Sequence, residues 1–233
     1  VGVQHRVFNE TALIDKKLAG AITCDTNKTW RKDSSLFVPT TGKQRVRMGV
    51  NNFSFGWRGS GREVKCDKAN TEWWLSRIMG LQLTVSLVLS VIHPELFQAG
   101  KEVLDYCCHP DSHKGRTSEW ASKWNSVYTA LTVVSGRMAI PHLDLHGRYN
   151  YFDCLVSLGT ASKPKIIFKE LDAVFPYKAG TAILFSGRGW THEVPHWGSG
   201  ERVCYASYMR PEIIQAHGHK VESWGMQLDT GMA

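Results

Sequence analysis

A histidine and an aspartate separated by one residue, His142 and Asp144, lie at the centre of the segment 140–150, Ile-Pro-His-Leu-Asp-Leu-His-Gly-Arg-Tyr-Asn. In an extended strand, residues two apart point to the same face, so this imidazole and carboxylate would converge on one point. A second histidine would complete the 2-His-1-carboxylate set that holds Fe(II) and leaves positions open for oxygen and a co-substrate. The candidate is His192, in Gly-Trp-Thr-His-Glu-Val. The alternative is a structural His-Asp pair with an unrelated surface histidine.

The sequence that follows His192 predicts a β-hairpin. Gly198-Ser199-Gly200 is typical of a tight turn, and residues 201–209 form an apolar strand that carries Arg202. If the hairpin is regular and centred near Trp197, His192 and Arg202 are opposite each other on one face, roughly 5 Å apart at Cβ. An arginine beside a metal ligand is well placed to bind the far carboxylate of a dicarboxylate that chelates the metal. The alternative is a surface salt bridge between Arg202 and a neighbouring glutamate.

The order of patterns along the chain favours an α+β fold. The most hydrophobic stretch, residues 73–92, is predicted as a buried helix on the back of a sheet, and His93-Pro94 ends it before a second helix that runs through Leu104. Short apolar and β-branched segments dominate from Val127 to Met209. Helices followed by short antiparallel strands predict a double-stranded β-helix core, jelly-roll or cupin-like, with supporting helices packed on one sheet.

The length of 233 residues suits a single catalytic domain with a sizeable core. We expect an N-terminal arm and supporting helices over residues 1–126, the β-helix core over 127–211 and a C-terminal tail over 212–233. The apolar stretch 73–92 is interrupted by polar residues and falls short of the roughly 20 apolar residues that a membrane span needs. No membrane association is therefore expected.

Residues 43–65 combine basic and aromatic side chains in a way that suits a nucleic-acid partner. The interleaved residues include Arg45, Arg47, Phe53, Phe55, Trp57 and Arg58. Basic residues can neutralise phosphates, and exposed aromatic rings can stack on bases. The formal net charge of +7 also suits an anionic partner. The alternative is a pair of strands whose aromatic rings are buried and whose charges are solvated.

Six segments carry a family resemblance: His142-Leu-Asp144-Leu-His146, Tyr149-Asn150, and residues 133–137, 154–159, 180–188 and 201–210. Together they resemble the TET/JBP family of 2-oxoglutarate- and Fe(II)-dependent methyl-DNA dioxygenases, and they are most similar to its compact fungal TET-like branch. The resemblance covers residues 125–211 and is specific around the proposed metal ligands. The cysteine-rich zinc module of the animal enzymes is absent from this sequence.

The resemblance implies a role for each candidate residue in the centre. It implies that His142, Asp144 and His192 bind Fe(II) and form the catalytic centre, and that Arg202 binds the co-substrate 2-oxoglutarate. Further co-substrate candidates, on the strand expected before the metal ligands, are Arg137 and Tyr128. Tyr128 is equally compatible with a place in the hydrophobic core.

The resemblance also implies a substrate, double-stranded DNA that carries 5-methylcytosine or N6-methyladenine. The methylated base would leave the duplex, and its methyl group would be hydroxylated in the pocket. The candidate base contacts are His146, Arg148, Tyr149 and Asn150, for which ordinary turn chemistry after a strand is the alternative. The phosphate contacts would come from Arg45, Arg47 and Arg58. Such an enzyme would be nuclear, and no obligate protein partner is inferred.

Two other functions stay open at the level of sequence. One is a 2-oxoglutarate oxygenase that acts on a protein or a small molecule. An even number of cysteines and three glycosylation-like sites, at Asn9, Asn27 and Asn52, would suit such an enzyme in the secretory pathway. The other is a catalytically inactive β-helix that only binds its partner. Salt-dependent duplex binding would favour the DNA enzyme, and the iron content of the purified protein would exclude or support the inactive one.

Overall fold

A computed structural model of the chain describes residues 30–38, 48–55, 68–109, 121–219 and 221. Its β-strands, in chain order, are β1 Gly49–Ser54, β2 Ala130–Ser135, β3 Ala139–His142, β4 Asp153–Gly159, β5 Lys165–Phe168, β6 Ala173–Pro176, β7 Ala182–Phe185, β8 His192–Val194 and β9 Arg202–Tyr208. All strand pairs are antiparallel. The larger sheet has the order β1-β2-β9-β4-β7, and the smaller sheet has the order β3-β8-β5-β6.

The path of the chain between the two sheets defines a double-stranded β-helix. The larger sheet contains β2, β4, β7 and β9, and the smaller sheet contains β3, β5, β6 and β8. From β2 to β9, every connection except the one between β5 and β6 therefore crosses from one sheet to the other. Successive strands therefore wind around one interior, and β1 extends the larger sheet beside β2. This confirms the predicted α+β, cupin-like fold with short antiparallel strands.

Side chains along a strand point alternately to the two faces of the sheet, and in the larger sheet both faces carry an apolar layer. In β9, Cys204 contributes to the cluster between the two sheets, whereas Val203 and Tyr205 contribute to the cluster on the helical side. The cluster between the sheets also contains Phe168 and Phe185. Side chains that share the face of Cys204 therefore point into the β-helix interior.

Among the described residues, the helices that accompany the β-helix include α1 Lys68–Ile92, α2 Pro94–Cys108 and α3 Pro211–Ala216. His93 separates α1 from α2 as predicted, and its Nδ1 accepts a hydrogen bond from the amide of Leu96 at 3.4 Å while Pro94 occupies the first turn. The second helix runs to Cys108 rather than to Leu104. Trp74 of α1 packs on the larger sheet, where its indole N–H donates to the hydroxyl of Tyr205 at 3.1 Å.

Helix α1 is buried on one face only, which corrects the prediction of a buried helix. Its outward face exposes a stripe of apolar residues at four-residue spacing: Met79, Leu83, Leu87 and Val91. Residues 72–92 also meet the length and composition of a membrane span, contrary to the sequence argument that the stretch is too short. The same is true of many core helices of soluble proteins, and Trp74, Ile78 and Leu89 of this helix are completely buried in the core.

The segment after β9 packs more firmly than a tail would. Ile213 and Ile214 of α3 are buried in the helical-side cluster, and the imidazole of His219 lies 3.0 Å from the carboxylate of Glu102 on α2. Residues 211–219 therefore belong to the folded body. The prediction of a separate tail that begins at residue 212 is wrong for this part.

Candidate metal centre

The two candidate histidines face each other across neighbouring strands of the smaller sheet. His142 ends β3 and His192 begins β8, and the strand register pairs these two residues directly. Cross-strand partners project to the same face, so their rings lie side by side with centroids 4.1 Å apart. Asp144 follows two residues after His142. One ligand atom from each of the three residues lies within 4.8 Å of the others.

Hydrogen bonds fix which nitrogen of each histidine is available to a metal. Nδ1 of His142 lies 2.7 Å from the carbonyl of Ile140, and Nδ1 of His192 lies 3.0 Å from the carbonyl of Trp190. A neutral imidazole that donates from Nδ1 keeps the lone pair of Nε2 for a metal. Nε2 of His142 is 3.9 Å from Oδ1 of Asp144, and Nε2 of His192 is 3.8 Å from Oδ2.

Burial keeps both imidazoles neutral. Burial, and then the neighbouring His192, lower the pKa of His142 to about 4. Burial also lowers the pKa of His192. Metal ligands must be deprotonated, so both histidines are in their metal-binding form at neutral pH. Two ligands about 2.1 Å from one ion can be at most about 4.2 Å apart. The separations of 3.9 Å from His142 to Oδ1 and 3.8 Å from His192 to Oδ2 are below this limit, so each histidine can share an ion with Asp144. Two histidines with one carboxylate suit Fe(II).

Asp144 is held on a turn by main-chain contacts. The amide of Gly147 donates to the carbonyl of Asp144 at 2.9 Å, and the amide of Asp144 donates to the carbonyl of Gly187 at 2.8 Å. A Cβ atom at Gly187 would lie 2.4 Å from Oδ2 of Asp153 and 3.0 Å from Oδ2 of Asp144. Glycine is therefore required where the loop 186–190 passes behind the carboxylate.

The interior next to the histidines holds two buried arginines. Arg202 begins β9 on the same face as Cys204, and its Nη1 donates to the carbonyl of Arg137 at 2.7 Å. Both side chains are almost fully buried, at 4% and 7% exposure, and neither Nε atom has a hydrogen-bond partner in the described part of the chain. Burial, then Arg202, then Arg31 lower the pKa of Arg137 to about 9.

The predicted hairpin between His192 and Arg202 is wrong. β8 pairs with β3 and β5 in the smaller sheet, whereas β9 pairs with β2 and β4 in the larger sheet. Gly198 and Gly200, both with positive φ, lie in a crossover between the sheets. Main-chain hydrogen bonds attach this crossover to the loop 160–163. Arg202 therefore pairs with Gly159 of β4 in the larger sheet, whereas His192 is on the smaller sheet. The Arg202 side chain faces the interior between the two sheets.

Tyr128 precedes β2 and is completely buried in the cluster on the helical side of the larger sheet. Burial raises its pKa well above the usual value. It therefore belongs to the hydrophobic layer that supports the sheet, which is the second of the two interpretations that the sequence left open. The geometry does not bring it together with Arg202 and Arg137.

The four predicted base contacts lie on the turn that follows the candidate metal ligand Asp144. This turn, residues 146–150, and the neighbouring Arg188 are called the rim of the site. His146, Arg148 and Tyr149 are exposed, and the guanidinium of Arg188 lies 5.3 Å from the centre of the Tyr149 ring. Asn150 differs, because its amide nitrogen donates to the carbonyl of Val221 at 2.9 Å. Asn150 thus holds the main chain at Val221, while the other three side chains are exposed.

The basic segment is only partly described. Gly49–Ser54 forms β1, and Phe53 and Phe55 are buried against Trp74 and Trp124. The interpretation that these two rings stack on bases is therefore wrong. The predicted phosphate contacts Arg45, Arg47 and Arg58, together with Trp57, lie outside the described residues.

Sequence reasoning missed a segment that covers the centre. The indole of Trp30 lies 4.6 Å from the imidazole of His142, and Nη2 of Arg31 lies 2.6 Å from Oδ1 of Asp144. The sequence predicts only an N-terminal arm for this part of the chain. No local motif predicts contacts with residues more than a hundred positions away.

Comparisons with known proteins support the fold. No protein-family model matches the chain, and no curated protein matches it. The chain is similar to the solved structure of NgTET1 in complex with 5mC DNA, at 14% sequence identity and a TM-score of 0.50, over 70% of this chain and 61% of that one. A smaller part is similar to a cupin 2 conserved barrel domain protein from Salinispora arenicola, at 13% identity and a TM-score of 0.29, over 39% and 71% of the two chains.

The match with NgTET1 spans about three fifths of that protein's solved chain. At this level of identity the likeness concerns the fold, which is a TET-like, cupin-like double-stranded β-helix. The chain therefore shares this fold, and its His142, Asp144 and His192 are close enough together that they could hold a metal ion.

Proposed function

We propose that this protein is a 2-oxoglutarate- and Fe(II)-dependent dioxygenase that hydroxylates the methyl group of a modified base flipped out of duplex DNA. One observation carries the proposal: His142, Asp144 and His192 converge beside two buried guanidiniums, those of Arg137 and Arg202. Neither guanidinium forms an ion pair with a carboxylate within the described ranges. The relation to the compact fungal branch stays a prediction from the sequence.

Two buried cations that have no carboxylate partner among the described residues favour an anionic ligand. Removing an ion from water costs several kcal/mol unless an opposite charge offsets the loss. Arg202 begins β9 of the larger sheet, and Arg137 lies in the connection between β2 and β3. The candidate metal ligands lie on the smaller sheet and the adjoining turn. A dicarboxylate such as 2-oxoglutarate can chelate the metal with one end and meet a guanidinium fork with the other.

Each part of the site has a task in the proposed reaction. His142, Asp144 and His192 would hold the metal, and Arg202, supported by Arg137, would orient the far carboxylate of the co-substrate. Phe185 packs against His192 with ring centroids 4.8 Å apart and excludes water from that side. Bound iron would supply the activation of oxygen for C–H hydroxylation, and the protein supplies binding and orientation.

The proposed substrate follows from the position of the centre and the charge of the rim. The side chains of His142 and His192 are largely buried, so we expect a paired base to leave the stack before its methyl group can reach them. Arg148, Tyr149 and Arg188 on the rim offer positive charge and an aromatic ring to a nucleic acid. The net charge of +7 and the fold shared with NgTET1, solved with 5mC DNA, point the same way. Such a substrate would place the enzyme in the nucleus.

Nucleoside mass spectrometry tests this proposal. The protein is incubated with iron, ascorbate, 2-oxoglutarate and duplexes that contain 5-methylcytosine or N6-methyladenine. We expect 5-hydroxymethylcytosine from the first duplex, or unmethylated adenine with formaldehyde from the second. Asp144→Ala and omission of 2-oxoglutarate are the controls. Turnover of 2-oxoglutarate coupled to a peptide or a metabolite, with both bases unchanged, would replace the DNA substrate by the alternative function.

A further inference from the structure

The first described residues of the chain form a short turn directly on the proposed metal centre. Trp30–Lys32 is a single 3-10 turn. Arg31 donates to Oδ1 of Asp144 at 2.6 Å, and the indole of Trp30 packs on the ring of His142 with centroids 4.6 Å apart. Two of the three metal ligands are thus contacted by consecutive residues. These contacts join parts of the chain that are 112 and 113 positions apart.

The turn is anchored to the connection between β2 and β3, which contains Arg137. Phe37 forms an isolated β-bridge with Arg137, and the amide of Met138 donates to the carbonyl of Leu36 at 2.8 Å. Arg137 in turn donates from Nη1 to the carbonyl of Arg31 at 3.0 Å, and its guanidinium lies 5.1 Å from the centre of the Trp30 ring. The turn is therefore fixed through its main chain, so the side chains of Trp30 and Arg31 approach the centre in a defined direction.

We propose that Arg31 and Trp30 are positioning residues for the metal centre, Arg31 acting through Asp144 and Trp30 through His142. Arg31 engages Oδ1 of the carboxylate and leaves Oδ2, the oxygen nearer to His192, for the metal. A carboxylate with one oxygen engaged in this way is restrained to bind through the other oxygen. Trp30 limits rotation of the His142 ring, whose Nδ1 is already held by the carbonyl of Ile140. This inference rests on the proposed function, because it requires a metal at these ligands.

Two effects of Arg31 oppose each other. Its positive charge repels a divalent ion, which would weaken metal binding. It also restrains Asp144, whose side chain is 38% exposed and would otherwise sample several rotamers. Water and salt screen the repulsion, because the Arg31 side chain is itself 43% exposed. The restraint is geometric and is not screened. Partners that orient metal ligands typically change metal affinity 10–100-fold when they are removed.

Cobalt(II) is the probe, because its visible absorption reports both affinity and coordination. The full chain is titrated with Co(II) as wild type, Arg31→Ala, Arg31→Lys and Arg77→Ala. Arg77 is a matched control: its guanidinium lies over Trp73 at 5.0 Å, much as that of Arg31 lies over Trp30 at 4.8 Å, but it is on α1. We expect Arg31→Ala to weaken Co(II) binding about 10–100-fold and to change the absorption bands. Arg31→Lys should recover part of the affinity, and Arg77→Ala should match wild type.

Trp30→Phe and thermal unfolding separate positioning from a purely structural role. Phenylalanine keeps a ring on His142, so Trp30→Phe should bind Co(II) within a few-fold of wild type, whereas Trp30→Ala should bind it more weakly. The metal-free melting temperature of Arg31→Ala should stay close to that of wild type, because an exposed ion pair contributes little to stability. A lower melting temperature with unchanged Co(II) affinity and bands would assign Arg31 to folding alone.

The outcomes also distinguish this inference from the proposed function. If wild type binds neither Co(II) nor Fe(II), both ideas fail together. If wild type binds Co(II) and Arg31→Ala binds it equally well or more tightly, only the positioning role fails. Tighter binding would mean that the repulsion dominates and that Arg31 competes with the metal for Asp144.

Discussion

Arg202 donates a hydrogen bond from Nη1 to the main-chain carbonyl of Arg137 at 2.7 Å, and its charge lowers the pKa of Arg137, so two buried guanidiniums lie near each other in the interior. Arg137 stays cationic at neutral pH, because even its lowered pKa is about 9. Natural cores avoid two adjacent buried cations unless a ligand or a partner offsets them. This pair is the strongest sign that an anion belongs in the interior.

Replacing Arg202 with methionine should separate a binding role from a structural one. A buried charge without an ionic partner destabilises the metal-free protein, so Arg202→Met should leave its free energy of unfolding unchanged or raise it by about 1–4 kcal/mol. Affinity for 2-oxoglutarate should fall at least about 100-fold, which corresponds to roughly 2.7 kcal/mol. Calorimetry with Mn(II) in place of iron measures the affinity, and urea unfolding measures the stability. Unchanged affinity would assign the co-substrate to Arg137 or to another cation.

Asp144→Ala should abolish stoichiometric metal binding and leave the fold intact. The residue is on a turn, and its ion pair with Arg31 is partly exposed, so its loss should cost less than about 1 kcal/mol. Asp105→Ala is the control, because Asp105 pairs with Lys101 at 2.7 Å on the surface of α2. Metal analysis after dialysis gives the stoichiometry. Retention of one iron per chain in Asp144→Ala would remove Asp144 from the ligand set.

The parts of this structure that sequence predicted are those encoded by local patterns. The His-x-Asp spacing encodes two side chains on one face, and the break at His93-Pro94 encodes the junction between α1 and α2. Alternating apolar residues encode strands with one face toward the interior, which was enough to predict the β-helix. His192 was identified as the third candidate ligand by its strand context, although its partner across the sheet was assigned wrongly.

The parts that sequence did not predict depend on contacts between distant residues. A turn with two glycines looks the same in a hairpin and in a crossover, and only the alternation of sheets in a β-helix places Arg202 across the interior from His192. The contact of Arg31 with Asp144 spans 113 positions and leaves no periodicity in the chain. Phe53 and Phe55 follow arginines along the sequence, yet the helical layer buries them.

Gly187→Ala should damage the centre, and Gly80→Ala should not. A Cβ at Gly187 would lie 2.4 Å from Oδ2 of Asp153, which is buried and cannot move away freely. Overpacking of this kind costs about 1–3 kcal/mol, and it would displace Asp144 and weaken metal binding. A Cβ at Gly80 on α1 meets no atom within 4 Å, so alanine there should add up to about 1 kcal/mol of stability. Urea unfolding and Co(II) titration of both variants give the comparison.

Asp153 should make stability fall as the pH rises. Burial, and then the nearby Asp144, raise the pKa of Asp153 well above the usual value, so the folded state keeps a proton that the unfolded state has lost. The folded state therefore binds more protons from about pH 4 up to the folded pKa, and its stability decreases over that window. Asp153→Asn cannot ionise, so the difference in unfolding free energy between pH 5 and pH 8 should become smaller in metal-free protein. An unchanged difference would assign the pH dependence to another group.

Asn150→Ala should lower stability rather than turnover. Its side-chain amide donates to the carbonyl of Val221 at 2.9 Å, so the variant loses the hydrogen bond between residue 150 and the main chain at Val221. Removal of one such hydrogen bond costs about 0.5–1.5 kcal/mol. Turnover per folded molecule should match wild type if this is its main role. A selective loss of turnover on methylated DNA, with stability unchanged, would restore Asn150 as a base contact.

Arg148 and Tyr149 should affect DNA in different ways. Arg148 is exposed beside the centre, so Arg148→Ala should weaken binding to methylated and unmethylated duplexes alike. If it contacts one phosphate, the slope of log affinity against log salt should become shallower by about 0.9.

Tyr149 presents an exposed ring next to Arg188, and the loss of a base-stacking ring costs about 1–3 kcal/mol. Tyr149→Phe should therefore keep activity, whereas Tyr149→Ala should bind the duplex with an unchanged salt slope but turn over slowly. Equal salt dependence in wild type and Arg148→Ala, together with normal turnover by Tyr149→Ala, would mean that DNA does not contact this rim.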